Sequence, residues 1–299
     1  MRRFELDEIS VAALWDEPTG SWQYIVIDRA TNHAAIIDPV LDFDPMSGAT
    51  ATRNADALLA FVKEQQVTVD WILDTHPHAD HFSSAPYLAD ALGIPRAIGA
   101  NVVEVQKLWR DIYCLQDFPT DGSQWDRLFG DGDSFMIGET EMRVLFSPGH
   151  TLASITYATD GAAFVHDTLM MPDMGTSRAD FPGGSSLSLY RSIERLLALP
   201  DDTALFVGHD YEKDDRDVQC CATVAEHKAK NVHVGGDRSE VDFVKLRDTR
   251  DATLPLPKLM LAALQVNIRG GRLPDPEPCG RAFLKIPLNH FKPPENEAK

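Results

Sequence analysis

The stretch that most constrains this chain is Asp74-Thr75-His76-Pro77-His78-Ala79-Asp80-His81. It follows the short apolar run Trp71-Ile72-Leu73 and precedes a segment with helical spacing. Loops at strand ends are where rigid scaffolds present reactive groups. His76 and His78 are two residues apart, so an extended backbone turns both rings to one side. Asp80 and His81 follow in the turn. Three imidazoles and a carboxylate packed this closely form a donor set for a first-row metal ion.

Three later segments repeat the pattern of a strand followed by a ligand. Met142–Phe146 leads to Ser147-Pro148-Gly149-His150, Ala162–Val165 to His166-Asp167, and Ala204–Val207 to Gly208-His209-Asp210-Tyr211. A lone Gly-His would carry little weight. Three strand-end ligands behind an H-x-H-x-D-H loop form a specific set.

Further β-branched runs at 22–27, 34–37 and 154–157 read as strands, and Asp160-Gly161 as a hairpin turn. Apolar residues at helical spacing predict helices over 53–66, 83–92 and 187–199. Strands and helices mixed at this density imply layered α/β packing, and the hairpins argue against a purely parallel sheet. Beyond Tyr211 the chain turns charged, shows helical patterns near 218–230 and 240–250, and ends in a proline-rich tail with Pro293 and Pro294. This predicts a catalytic domain over 1–211 and a C-terminal extension over 212–299 packed on it, with 294–299 loose.

Asp and Glu number 46 against 28 Lys and Arg, a net charge of −18. Duplex binding needs clustered cations, so nucleic acid is not an expected partner, whereas a small anionic substrate is compatible with a few local arginines. No run approaches the ~18 apolar residues of a membrane-spanning helix, so no membrane is expected. The acidic start, Phe4-Glu5-Leu6-Asp7-Glu8, lacks the apolar core of a secretory signal. Cys114, Cys220, Cys221 and Cys279 lack C-x-x-C spacing, which fits reduced thiols in a cytoplasm.

In full order, His76-x-His78-x-Asp80-His81, His150, Asp167 and His209 resemble the metallo-β-lactamase superfamily over roughly residues 15–211. The resemblance implies an αββα sandwich with its metal site at one edge of the two sheets. Within that superfamily the chain looks most like the persulfide dioxygenases, including the bacterial branch of β-lactamase-like hydrolases. The features are the Thr-His-Pro-His-Ala-Asp-His loop, Gly175-Thr176-Ser177-Arg178-Ala179-Asp180-Phe181, His209-Asp210-Tyr211, and the segments 264–271 and 284–289. Two departures stand out. His166 replaces the usual Gly before the metal Asp, where it bears on the backbone near Asp167, and Cys279 replaces Asn.

That resemblance implies one Fe(II) per chain on His76, His150 and Asp167, a facial triad with open positions for O2 and a persulfide. Zinc is the alternative or misloaded metal; being d¹⁰, it has no redox chemistry for oxygenating sulfur. The implied substrate is glutathione persulfide, or a similar low-molecular-weight persulfide, oxidised to sulfite and the free thiol. His78, Asp80, His81 and His209 would orient ligands and waters or hold a second metal. Arg178 would bind a glutathione carboxylate unless it pairs with Asp180 or Asp173. Tyr211 would donate a phenolic hydrogen bond, or else be a core tyrosine. A homodimer through the extension is compatible with the pattern.

Two alternatives remain at this level. One is a glyoxalase II-like di-zinc hydrolase of glutathione thioesters, using Asp80, His81 and His209 with Asp167 as bridge; the region after Tyr211 does not resemble that family's helical domain. The other is a metal-binding module without turnover, disfavoured by the complete ligand set. His33, His227, His233 and His290 read as surface histidines, Trp109 and Trp125 as packing residues in an insertion, and Met170-Met171 as core.

Overall fold

The computed structural model describes residues 1–213 and 216–291. The N-terminal half runs β1 (Arg2–Glu5), β2 (Ile9–Asp16), β3 (Ser21–Asp28), β4 (His33–Ile37), β5 (Val40–Asp44), β6 (Ala49–Ala51), α1 (Arg53–Gln65) and β7 (Thr68–Leu73). It continues through β8 (Phe82–Ser83), α2 (Ala85–Leu92), β9 (Arg96–Gly99), α3 (Val102–Ile112) and β10 (Arg127–Phe129). Then follow β11 (Ser134–Ile137), β12 (Thr140–Phe146), β13 (Ile155–Thr159), β14 (Ala162–His166), α4 (Ser186–Leu197) and β15 (Ala204–Val207). The chain closes with β16 (Cys221–Thr223), α5 (Val224–Lys230), α6 (Glu240–Asp251) and α7 (Met260–Asn267).

Two mixed sheets face one another. One has the order β1-β2-β3-β4-β7-β9-β10, the other β11-β12-β13-β14-β15-β16, and β6-β5-β8 form a small third sheet. Strand periodicity builds the layers. Trp22, Tyr24 and Val26 of β3 meet Phe164 of β14 and Phe206 of β15 between the sheets, while Ile25 and Ile27 face Leu58, Phe61 and Leu88 of the outer helices α1 and α2. On the other side Ala163, Val165, Leu205 and Val207 pack against Leu189 and Ile193 of α4 and Phe243 of α6. Alternate residues thus serve alternate interfaces, and the result is the αββα sandwich that the motif order implies.

The hairpin at Asp160-Gly161 forms, joining β13 to β14. The helix expected over 218–230 is corrected: Cys221–Thr223 is a strand beside β15, and α5 starts only at Val224. Thr223 caps it, its Oγ1 accepting from Glu226 N at 3.2 Å while the Glu226 carboxylate accepts from Thr223 N at 2.9 Å. This reciprocal cap forbids helix before Thr223. Residues beyond Tyr211 therefore supply a sheet strand, two outer helices and α7. The tail positions 294–299, with Pro293, lie outside the described residues.

Candidate metal centre

Each expected ligand stands where a strand delivers it. His76 follows β7 in the seven-stranded sheet, whereas His150, Asp167 and His209 follow β12, β14 and β15 in the other. Two glycines make room. A Cβ on Gly149 would lie 2.3 Å from the Leu189 backbone, so only glycine lets α4 approach beside His150. A Cβ on Gly208 would lie 2.6 Å from Asp167 Oδ1.

His76, His150 and Asp167 each bring a donor atom within 4.8 Å of the others. Asp167 Oδ2 is 3.5 Å from His150 Nε2 and 3.9 Å from His76 Nε2. His150 Nδ1 donates to the Arg178 carbonyl at 2.8 Å, which leaves Nε2 as the lone-pair atom. His76 Nε2 is buried without a hydrogen-bond partner. Burial, reinforced by His78, His166 and His150, holds its pKa well below the ordinary histidine value, so the ring stays neutral and able to ligate. An unpaired buried nitrogen is costly, and a cation bound by these three residues relieves that cost.

A second group adjoins the first. His209 Nδ1 lies 2.5 Å from Asp167 Oδ1 and its Nε2 2.7 Å from Asp80 Oδ2. His81 Nδ1 is 2.8 Å from the same Asp80 oxygen. Burial opposes charge on Asp167, but His209 outweighs it and holds the carboxyl well below the usual range. The His78 ring lies against that of His76, centroids 4.2 Å apart, but its Nε2 turns to the buried Asp38 Oδ1 at 3.0 Å. Burial lowers its pKa, but Asp38 more than compensates and lifts it to about 9.

Residues the motifs did not flag support this cluster. Asp38 accepts from Thr75 N at 2.7 Å and Thr75 Oγ1 at 2.8 Å. It stands just past a strand, the same signal that marked the ligands. Asn267 Nδ2 donates to the His78 and His81 carbonyls at 2.8 and 2.7 Å. Trp125 Nε1 donates to Asp74 Oδ2 at 3.2 Å. Both Trp109 and Trp125 are buried packing residues.

A 380 Å³ cavity opens against the triad, lined on the apolar side by Met170, Met174, Phe181, Leu254 and Pro257 and on the polar side by Arg178, Arg250 and Tyr211. Arg178 forks onto Asp180, with Nε–Oδ1 at 2.6 Å and Nη2–Oδ2 at 2.7 Å, and donates to Pro255 O at 2.6 Å. Asp173 pairs with Arg216 instead, at 3.1 Å. Tyr211 is 46% exposed, so it is not a core tyrosine. His227 and His233, expected at the surface, are buried: His227 meets Asn231 at 3.1 Å, and His233 Nδ1 accepts from Thr176 N at 2.9 Å. His233 buttresses the loop that lines the cavity.

The family model described as the metallo-beta-lactamase superfamily matches residues 17–209, the segment that carries every one of these ligands. The chain belongs to the metallo-beta-lactamase superfamily. Among its superfamily relatives, the "Beta-lactamase hydrolase-like protein" of Xylella fastidiosa is 57% identical over 97% of this chain and 67% of its own length. The chain spans about two thirds of the length of such hydrolase-like relatives. "Glyoxylase B2" of Dictyostelium discoideum is 44% identical over 90% of this chain and 94% of its own. "Persulfide dioxygenase ETHE1, mitochondrial" of Mus musculus is 27% identical over 86% of this chain and 87% of its own. The crystal structure of ETHE1 from Myxococcus xanthus superposes with a TM-score of 0.71 at 29% identity, covering 88% of this chain and 99% of that one. Among the described residues, no helix of this superfamily member is long and apolar enough to cross a membrane.

Proposed function

We propose that this chain is an iron-dependent dioxygenase that oxidises glutathione persulfide, or a similar low-molecular-weight persulfide, to sulfite and the free thiol. The observation that carries the reading is the triad itself: two neutral imidazoles and one carboxylate converging beside a cavity. Ferrous iron held there would supply the redox chemistry and open positions that bring O2 and a sulfur anion together.

The chain's own groups do the rest. Asp167 keeps its negative charge, and His150 is held in one tautomer by the Arg178 carbonyl. Met170, Met174 and Phe181 give the wall beside the reacting sulfur its apolar lining, and one water entering from the open side would complete the conversion of persulfide and O2 to sulfite and thiol. At the cavity wall Arg250 is the cation free to meet a glutathione carboxylate, Arg178 would have to share its fork with Asp180 to do so, and the Tyr211 hydroxyl is a donor at the same wall. A homodimer and a cytoplasmic setting accompany this reading as expectations from sequence.

The 44% identity to a protein named as a glyoxylase favours a second reading, zinc-dependent cleavage of glutathione thioesters. One preparation separates the two. Purified protein is analysed for metal, then assayed for oxygen uptake and sulfite formation with glutathione persulfide and for S-lactoylglutathione hydrolysis. Iron near one per chain with persulfide-dependent oxygen uptake is expected. Two zinc ions with thioester cleavage would overturn the proposal.

A further inference from the structure

We propose that the Ser21 hydroxyl closes the second cation position of this cluster and limits the chain to one tightly bound ion. The inference rests on the proposed function and deepens it, because it concerns how many ions the proposed site holds beside its open face.

Ser21 begins β3, and the backbone on either side of it is tied to the strand exit that carries His209. Trp22 N donates to Gly208 O at 2.8 Å, and Asp210 N donates to Gly20 O at 3.1 Å. This short ladder delivers a hydroxyl that is 1% exposed into the donors beyond the triad. Ser21 Oγ lies 2.9 Å from Asp80 Oδ2, 3.1 Å from His209 Nε2 and 3.3 Å from His81 Nδ1. Thr19 Oγ1 spends its proton on Asp16 Oδ2 at 2.6 Å and lies 2.8 Å from Ser21 Oγ; the charged Asp80 carboxylate is the stronger acceptor for the serine proton.

Two donor groupings could hold a further ion, His78 with Asp80 and His81, and Asp80 with Asp167 and His209; Asp80 is common to both. Its Oδ2 already accepts from Ser21 and contacts His81 and His209 at 2.8 and 2.7 Å. An ion that takes Oδ2 of this half-buried carboxylate must displace the Ser21 hydroxyl. At the triad, by contrast, His76 Nε2 has no bond to break.

The test counts ions directly. The 299-residue protein and its Ser21→Ala and Ser21→Thr variants are titrated with Zn(II) and Co(II) under equilibrium dialysis, with metal analysis and the Co(II) absorption spectrum as readouts. Wild type is expected to bind one ion, with the second at least 100-fold weaker. Ser21→Ala should tighten the second ion about ten-fold or more, the scale of one hydrogen bond to a charged group, while Ser21→Thr, which keeps the hydroxyl, stays like wild type. Two ions bound equally tightly by wild type, or a second-ion affinity unchanged in Ser21→Ala, would overturn the inference. One ion without persulfide-dependent oxygen uptake would sink the proposed function and leave this inference standing; oxygen uptake with two ions would do the reverse.

Discussion

Asn267, at the end of α7, donates its side-chain amide to the carbonyl oxygen of His81 at 2.7 Å, across 186 residues of sequence. The same amide nitrogen reaches His78 O, and Asn267 Oδ1 accepts from Ser83 N at 2.9 Å. The C-terminal extension thereby clamps the loop that carries Asp80 and His81. Asn267→Ala leaves buried carbonyls unpaired and should cost about 1–3 kcal/mol of stability. Denaturant unfolding measures that cost, and metal retention in dialysis should fall alongside it. An Asn267→Ala protein as stable and as metal-retentive as wild type would remove α7 from the support of the site.

Asp167 provides the only carboxylate of the triad. Asp167→Ala should abolish iron retention, read by metal analysis after gel filtration. Chelator-stripped wild type should unfold at a temperature several degrees below the loaded protein, since a ligand at a hundred times its Kd adds about 2.7 kcal/mol. The stripped and loaded melting curves should coincide in Asp167→Ala.

Arg178 and Arg250 should separate kinetically. Arg178 is committed to Asp180 and Pro255, whereas the Arg250 side chain makes no hydrogen bond or ion pair among the described residues. Arg250→Ala should therefore raise KM for glutathione persulfide about ten-fold while leaving kcat within about twofold, the loss of one charge-assisted bond. Arg178→Ala should raise KM and also lower thermal stability, because it frees Asp180. An unchanged KM in either variant would remove that arginine from substrate binding.

Buried His227 sets a pH dependence away from the metal. Burial pushes its pKa down to about 4, against about 6.5 in an unfolded chain. Between those values the unfolded state holds more protons, so stability rises with pH through this window and is lost as pH falls from about 6.5 towards 4. The full shift corresponds to on the order of 3 kcal/mol. Denaturant midpoints at pH 7 and pH 5 should differ less in His227→Gln than in wild type; equal differences would deny His227 this role.

The clustered His and Asp residues were legible because their signal is local: each stands at a strand end, and these strands, buried on both faces, announce themselves as short apolar runs bounded by turn residues. The replacement of Gly by His166 likewise pointed to the backbone, and His166 does sit at a left-handed φ of +42°. Its buried ring is held by Ser147 Oγ at 3.1 Å and Thr168 Oγ1 at 3.0 Å, contacts that offset a backbone cost of roughly 1–2 kcal/mol. Ser21 and Asn267 were not legible, since their partners lie some 60 and 190 residues away. Helix α7 escaped for another reason. Met260-Leu261-Ala262-Ala263-Leu264 is apolar on every side, so it shows no helical period, and only its wedge between the loop and the aromatic layer around Trp109 explains that composition.

His76 belongs to one sheet and its two co-ligands to the other. An ion gripped by all three is therefore a rivet through the open rim of the sandwich. A chain that lost such an ion would lose the fastening between its two sheets at that rim. The loops of that rim would then be the first to open to a protease.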